Sequence, residues 1–198
     1  MFYWIFRAVF IIILKIFYRF KVEGLENIPQ RTNFIVAVNH FSFMDTLVIG
    51  AAIPKKTYWI ASRVLYKIWW LRWFFRLIDA IPSGSSSEKA LDLLKKNKNV
   101  GLFPEGVVSR DGRLREFRRG LALLALKTGR PVLPCAILGT YQAFPRGAKF
   151  PRFFVPIKVK IAKTKYFLKE FSEVIDDIYL QEGVFKVRNT IKEMLDAG

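Results

Sequence analysis

Three short apolar runs, Asn33–Asn39 (NFIVAVN), Asn99–Phe103 and Val132–Leu138, are separated by stretches whose apolar residues recur at helical spacing. This alternation constrains the fold more than any other feature of the chain. Each run is too short for a stable helix and almost wholly apolar, the pattern of a strand buried on both faces. Between them, Asp45–Ala52 reads as a helix closed before Pro54. Ser85-Ser86-Ser87-Glu88 resembles a cap ahead of a helix over Lys89–Lys96. Glu116–Thr128 carries Phe117, Leu121, Leu124 and Ala125 on one helical face and stops at Gly129 and Pro131, and a last amphipathic helix is expected over Glu182–Leu195. Thr57–Ala61 is a further strand candidate. Val155–Ile161 alternates apolar residues with Lys158 and Lys160, as a strand with one wet face does. Strands alternating with helices argue for an α/β domain with a mostly parallel central sheet flanked by helices. In such sheets the working residues gather where strands end at their carboxyl edge. Two of the runs end at chemistry, one at His40 and one at Glu105.

The first twenty residues do not belong to that pattern. Met1–Phe20 is apolar and aromatic, broken by Arg7, Lys15 and Arg19, with Trp4 and other aromatics toward the ends. On a helix the three cations fall within an arc of roughly 120°, which leaves a broad apolar face. A membrane span needs about 20 mostly uncharged residues, and the uninterrupted run Ala8–Leu14 is far shorter. Residues 1–20 are therefore expected to form a helix lying in the membrane interface, with Trp4, Arg7, Lys15 and Arg19 as contacts; a tilted span with snorkelling cations is the alternative. A second such stretch, Tyr58–Leu77, interleaves Trp69, Trp70 and Trp73 with arginines and Lys67. It reads either as a core helix edged by long cations or as a membrane-contact belt.

Charge agrees with a membrane partner. The chain carries 33 Lys and Arg against 16 acids, a net charge of +17, yet 52% of its residues are hydrophobic. A basic chain this apolar is unlike a nucleic-acid module and suits an anionic membrane surface better, so no nucleic acid is expected as partner. The lone Cys135 has no disulfide partner within the chain, and no Cys/His cluster has metal-ligand spacing. A monotopic protein on the cytoplasmic face of the cell membrane is the expectation, with no metal.

His40 is the only histidine, in Asn39-His40-Phe41-Ser42-Phe43-Met44-Asp45. Imidazole is the side chain whose unperturbed pKa lies nearest neutrality, so any general-base chemistry has one candidate. The turn can fold Asp45 onto one ring nitrogen while the other takes a proton from a substrate hydroxyl. The bland reading uses the same turn: Ser42 caps a helix, Asp45 favours its positive end, and His40 merely ends a strand. No Gly-x-Ser-x-Gly elbow accompanies the pair, and Cys135 lies inside an apolar strand. A His–Asp pair without its own nucleophile points to direct transfer onto an external hydroxyl, with no covalent enzyme intermediate.

Phe103-Pro104-Glu105-Gly106 reads as a turn after a strand. It is followed by Arg110, Arg113, Arg115, Arg118 and Arg119. The planar guanidinium suits phosphate, so the segment is either a phosphate-binding site or a solvated basic face.

These residues carry a resemblance. From Val22 to Lys165 the chain resembles the lysophospholipid acyltransferase superfamily, nearest to bacterial 1-acylglycerol-3-phosphate acyltransferases. Asn39-His40, Ser42 and Asp45 match its Asn-His-x-Ser-x-x-Asp block. Phe103, Pro104, Glu105 and Gly106 match the acceptor-site block, Phe117-Arg118-Arg119-Gly120 resembles its Phe-Lys-x-Gly step, and Val132-Leu133-Pro134 matches the late strand motif. The resemblance implies an acyltransferase domain over residues 21–198, with His40 as general base and Asp45 as its orienting partner. It implies substrate binding by Asn39, Ser42, Phe103, Pro104, Glu105, Gly106 and arginines of the Arg110, Arg113, Arg118, Arg119 group. The donor would be the thioester of acyl-carrier protein or coenzyme A, a co-substrate rather than a cofactor, and the acceptor a lysophospholipid, giving phosphatidic acid from 1-acylglycerol-3-phosphate.

Two departures stand out. Val107 and Val108 occupy the place of the family's Thr-Arg, and Ile81-Pro82 leads into Ser83-Gly84-Ser85 where an arginine commonly follows. Both remove phosphate ligands. They motivate two further readings, an acceptor lacking a terminal phosphate and a non-enzymatic membrane-binding relative.

Overall fold

The computed structural model describes residues 2–63, 67, 69, 80–83, 86–168 and 176–198. Among them a seven-stranded sheet forms the centre, built from β1 (Lys21–Glu23), β2 (Ile35–Val38), β3 (Thr57–Ala61), β4 (Ile81–Pro82), β5 (Asn99–Leu102), β6 (Val132–Leu138) and β7 (Lys158–Ile161). The order across the sheet is β1-β7-β6-β2-β5-β3-β4. All neighbours are parallel except β6 and β7. The sheet is covered by α1 (Phe2–Tyr18), α2 (Asp45–Ala52), α3 (Ser86–Lys95), α4 (Gly120–Thr128) and α6 (Asp177–Asp196), with a short α5 (Thr140–Ala143) after β6.

Alternation along each strand divides the core in two. On β2, Val36 and Val38 point to the layer holding Leu14, Tyr18, Val48 and Ile49 of α1 and α2. Ile35 and Ala37 point the other way, to Leu94 of α3, Leu121 and Ala125 of α4, and Val187 and Ile191 of α6. Both faces being covered, β2 is buried throughout, as its unbroken apolar run requires.

The strand expectations over 57–61, 99–103 and 132–138 and the helix over 45–52 hold to within a residue. Four boundaries move. α4 begins at Gly120 rather than Glu116, because the Arg115 N–H donates to Glu105 and the Arg118 N–H to the Pro104 carbonyl, drawing this chain away from helical bonding. α6 begins at Asp177, five residues before the expected start at Glu182, with Asp176 accepting from the Ile178 N–H as its cap. Gly183 lies inside that helix where a Cβ would stand 3.1 Å from Ala122 of α4, so it lets the two helices approach. β7 begins at Lys158, directly after Pro156 and Ile157, and keeps the expected alternation, with Val159 and Ile161 buried. Ser86 and Ser87 belong to α3 rather than to a preceding cap. β1, β4 and α5 are too short to leave a periodic signal.

Within the N-terminal helix the apolar surface divides. Leu14 and Tyr18 are buried, with Phe10 and Ile11 packed beside them, while Ile5, Val9, Ile12 and Ile16 stay exposed. Arg7 faces partly inward and its Nε is buried, so the cations do not share one solvent-facing arc. No helix among the described residues is long and apolar enough to cross a membrane. In the second aromatic stretch Trp59 is a core residue of β3 and Trp69 is exposed, whereas Trp70 and Trp73 lie outside the described residues.

Candidate active site

β2 and β5 are neighbours in register, with Ala37 opposite Leu102, so the residues that follow them emerge side by side at the carboxyl edge. His40 and Glu105, 65 positions apart in sequence, meet there: Glu105 Oε1 accepts the His40 main-chain N–H at 2.7 Å.

The turn after β2 wraps around Asp45. Its Oδ2 accepts from the Phe41 and Ser42 N–H groups, both at 2.7 Å, and lies 3.0 Å from His40 Nδ1. An ionised carboxylate only accepts, so Nδ1 carries the proton and Nε2 is left as the acceptor. Asp45 is fully buried and opens α2, where the free N–H groups of the first turn favour a negative charge. The capping reading and the orienting reading therefore coexist in one carboxylate.

The plane of the imidazole is fixed separately. His40 stacks on Phe103 with centroids 3.9 Å apart, and Phe103 stacks on Trp59 at 5.5 Å. Trp59 in turn lies over Gly101, where any Cβ would stand 2.6 Å from its ring. The sequence places Trp59 in the aromatic stretch but does not tie it to Gly101, since a tryptophan and a glycine on separate strands show no joint pattern until their register is known.

Three residues matched to substrate contacts have their polar atoms bonded to main-chain groups. Asn39 is fully buried; its amide donates to the Ile137 carbonyl and accepts from the Ile137 N–H, clamping β2 to β6. Ser42 is buried as well, donating to the Phe144 carbonyl at 2.6 Å and accepting from the Met44 N–H. Glu105 is buried with Oε1 on His40 and Oε2 on the Arg115 N–H. All three brace the turns that carry His40 through these main-chain bonds. Burial pushes the Glu105 carboxyl up to about 7, against the lowering effect of the two N–H donors.

The arginines separate too. Arg119 pairs with Asp177 of α6 at 2.6 Å. Arg110 and Arg113 are exposed on the loop that follows Glu105. Arg118 lies over the Phe103–Gly106 turn: its guanidinium covers Gly106, where a Cβ would come within 2.5 Å of Cζ and Nε. Gly106 has φ 75, so glycine meets both the conformation and the close approach. Val107 is exposed at this rim, and Val108 is buried beneath it.

Residues 19–138 match the Acyltransferase family, and the chain belongs to it. It is 32% identical over 142 residues to the chloroplastic 1-acyl-sn-glycerol-3-phosphate acyltransferase LPAT1 of Arabidopsis thaliana, covering 67% of this chain and 40% of that one. It is 31% identical over 126 residues to the 1-acyl-sn-glycerol-3-phosphate acyltransferase of Bacillus subtilis, covering 60% and 62%. The crystal structure of the 1-acyl-sn-glycerophosphate (LPA) acyltransferase PlsC from Thermotoga maritima superposes with a TM-score of 0.70 at 32% identity, covering 88% of this chain and 71% of that one. The chain spans about two fifths to three fifths of the length of these curated relatives.

Proposed function

We propose that this acyltransferase moves a fatty acyl group from the thioester of acyl-carrier protein or coenzyme A to the free hydroxyl of 1-acylglycerol-3-phosphate, giving phosphatidic acid. The observation that carries the reading is the His40–Asp45 pair at 3.0 Å, which engages Nδ1 and leaves Nε2 as the acceptor. Nε2 takes the hydroxyl proton as the acceptor oxygen attacks the thioester carbonyl. The resulting tetrahedral species collapses, the C–S bond breaks, and the imidazolium returns the proton to the departing thiolate. Asp45 stabilises the imidazolium between these two transfers. The acceptor phosphate is assigned to Arg118, which stands over Gly106 and replaces the ligand lost at Val107 and Val108. Arg110 and Arg113 lie on the same loop and widen the positive field.

The acceptor's home is an anionic membrane. We place the protein as a monotopic enzyme on the cytoplasmic face of the cell membrane, with the exposed side of α1, including Trp4, and the Trp69, Trp70, Trp73 stretch as contacts. Purified protein is to be given labelled acyl-carrier protein or acyl-coenzyme A with a panel of lysolipids, and the product identified by mass spectrometry. Absence of acyl transfer from both donors to every acceptor overturns the reading. Preference for a lysolipid without a terminal phosphate would retain the chemistry and move the acceptor, the outcome that the exposed Val107 favours.

A further inference from the structure

The loop between α5 and β7 keeps aromatic rings outside the fold. Phe150, Phe153 and Phe154 are 81%, 55% and 65% exposed. Phe154 also has φ 65, a left-handed conformation that bulky L side chains adopt only at a cost. A strained backbone that buries a ring is explained by the core it fills, but here the strained residue faces out. The strain is held by main-chain bonds: the Phe154 N–H donates to the Phe17 carbonyl at 2.7 Å, Arg152 to Ala143 at 2.7 Å, and Ile157 to Tyr18 at 2.9 Å. Phe17 meets Phe153 at 5.3 Å between centroids. Phe153 and Phe154 therefore extend the apolar surface of α1 at Phe17, and Phe150 lies on the same loop.

Cations are interleaved with the rings. Arg146, Lys149 and Arg152 are exposed, and none has a carboxylate partner among the described residues. No Asp or Glu occurs between Glu116 and Glu170. Aromatic rings and cations on one surface match the boundary between acyl chains and anionic headgroups. An acidic protein would answer the charges alone, leaving the apolar strip that runs on along α1 without a counterpart.

The same loop is tied to the catalytic turn. Ser42 donates to the Phe144 carbonyl at 2.6 Å and forms a bridge with Pro145, two residues after His40. We propose that residues 144–156 form a membrane-docking loop that seats Phe150 and Phe154 among anionic phospholipid headgroups and thereby holds the His40 rim at the bilayer surface. The catalytic half of this inference rests on the proposed lipid acceptor; the docking half does not.

The test uses the full chain, sedimented with vesicles of phosphatidylglycerol and phosphatidylcholine or of phosphatidylcholine alone. Asparagine tolerates the left-handed region, so the double variant Phe150→Ser, Phe154→Asn is expected to keep or raise the melting temperature. Its partition onto mixed vesicles should fall by about tenfold or more, as removal of two inserted rings implies. Acyl transfer to vesicle-borne acceptor should fall with it, while transfer to a short-chain, monomeric acceptor stays at the wild-type rate. The triple variant Arg146→Glu, Lys149→Glu, Arg152→Glu should lose the preference for anionic vesicles. Wild-type partition by the folded double variant overturns the proposal, as does loss of binding to acidic carrier protein with vesicle partition intact. If the wild type transfers no acyl group at all but the double variant still loses partition, the proposed reaction fails and the docking loop stands.

Discussion

The imidazole of His40 lies face to face with the ring of Phe103, centroids 3.9 Å apart and planes 20° from parallel. Phe103 thus does for the ring plane what Asp45 does for rotation within it. Both constraints come from elements that the sheet brings together, β5 on one side and the start of α2 on the other. An imidazole held this way has its orientation set in advance, which is where much of the benefit would lie for the base proposed above.

The stack makes a prediction remote from the chemistry. Gly101→Ala forces a Cβ to within 2.6 Å of Trp59, displacing a ring that has core on its other side. Overpacking of this kind costs about 1–3 kcal/mol. Urea unfolding should show that loss, and kcat should fall with little change in KM because Phe103 and His40 shift with Trp59. An unchanged unfolding midpoint with normal turnover would remove Trp59 from the account.

Asp45→Asn tests the orienting role directly. The amide oxygen retains an acceptor for the Phe41 and Ser42 N–H groups, so the turn should survive. What is lost is the negative charge facing the imidazolium, and kcat should fall by about 10²–10⁴. His40→Ala should be at least as severe. Near-normal turnover in either folded variant would sink the assignment of His40 as base.

Much of this was legible in the sequence, because burial on both faces writes itself as unbroken apolar runs. β2, β5 and β6 are visible for that reason, and so is the shared edge that joins His40 to Glu105. The pairing of His40 with Asp45 is local, five residues apart, and follows from the turn. What escaped was decided by contacts across the fold. The amides of Asn39 and the carboxylate of Glu105 look like substrate ligands in sequence, yet each is taken by main-chain groups of a neighbouring strand or loop. The arginines between positions 110 and 119 look equivalent until Asp177, at the start of α6, takes one of them.

That division among the arginines is testable. Arg118→Ala should raise KM for 1-acylglycerol-3-phosphate by roughly 10–100-fold, the worth of one charge-assisted hydrogen bond to phosphate at about 1.5–3 kcal/mol. KM for a lysolipid without a terminal phosphate should not move. Arg119→Ala should leave both values and the stability nearly unchanged, since its pair with Asp177 is exposed on both sides and such pairs contribute little. Equal effects of the two substitutions would mean that general positive charge, not a specific ligand, serves the acceptor.

Glu105 adds a pH dependence of opposite sense to that of most acidic residues. Its folded value is raised from 4.5 to about 7, so between these limits the folded state holds a proton that the unfolded chain has released. Stability from this group is fully present below about pH 4.5 and declines as pH rises through 7, by an amount on the order of 3 kcal/mol. Glu105→Gln removes the titration. It also sets an NH2 group against one of the two N–H donors, costing about 1–3 kcal/mol through the bond lost to His40 or Arg115. Unfolding free energies measured from pH 4.5 to 8 should therefore fall less steeply for the variant than for the wild type, while the variant starts lower at the acidic end. Since His40 hangs from Glu105 by its own N–H, the variant should lose turnover more than acceptor affinity. Parallel pH profiles for the two proteins would show that Glu105 is already ionised throughout, and the brace would then be a charged one at every pH tested.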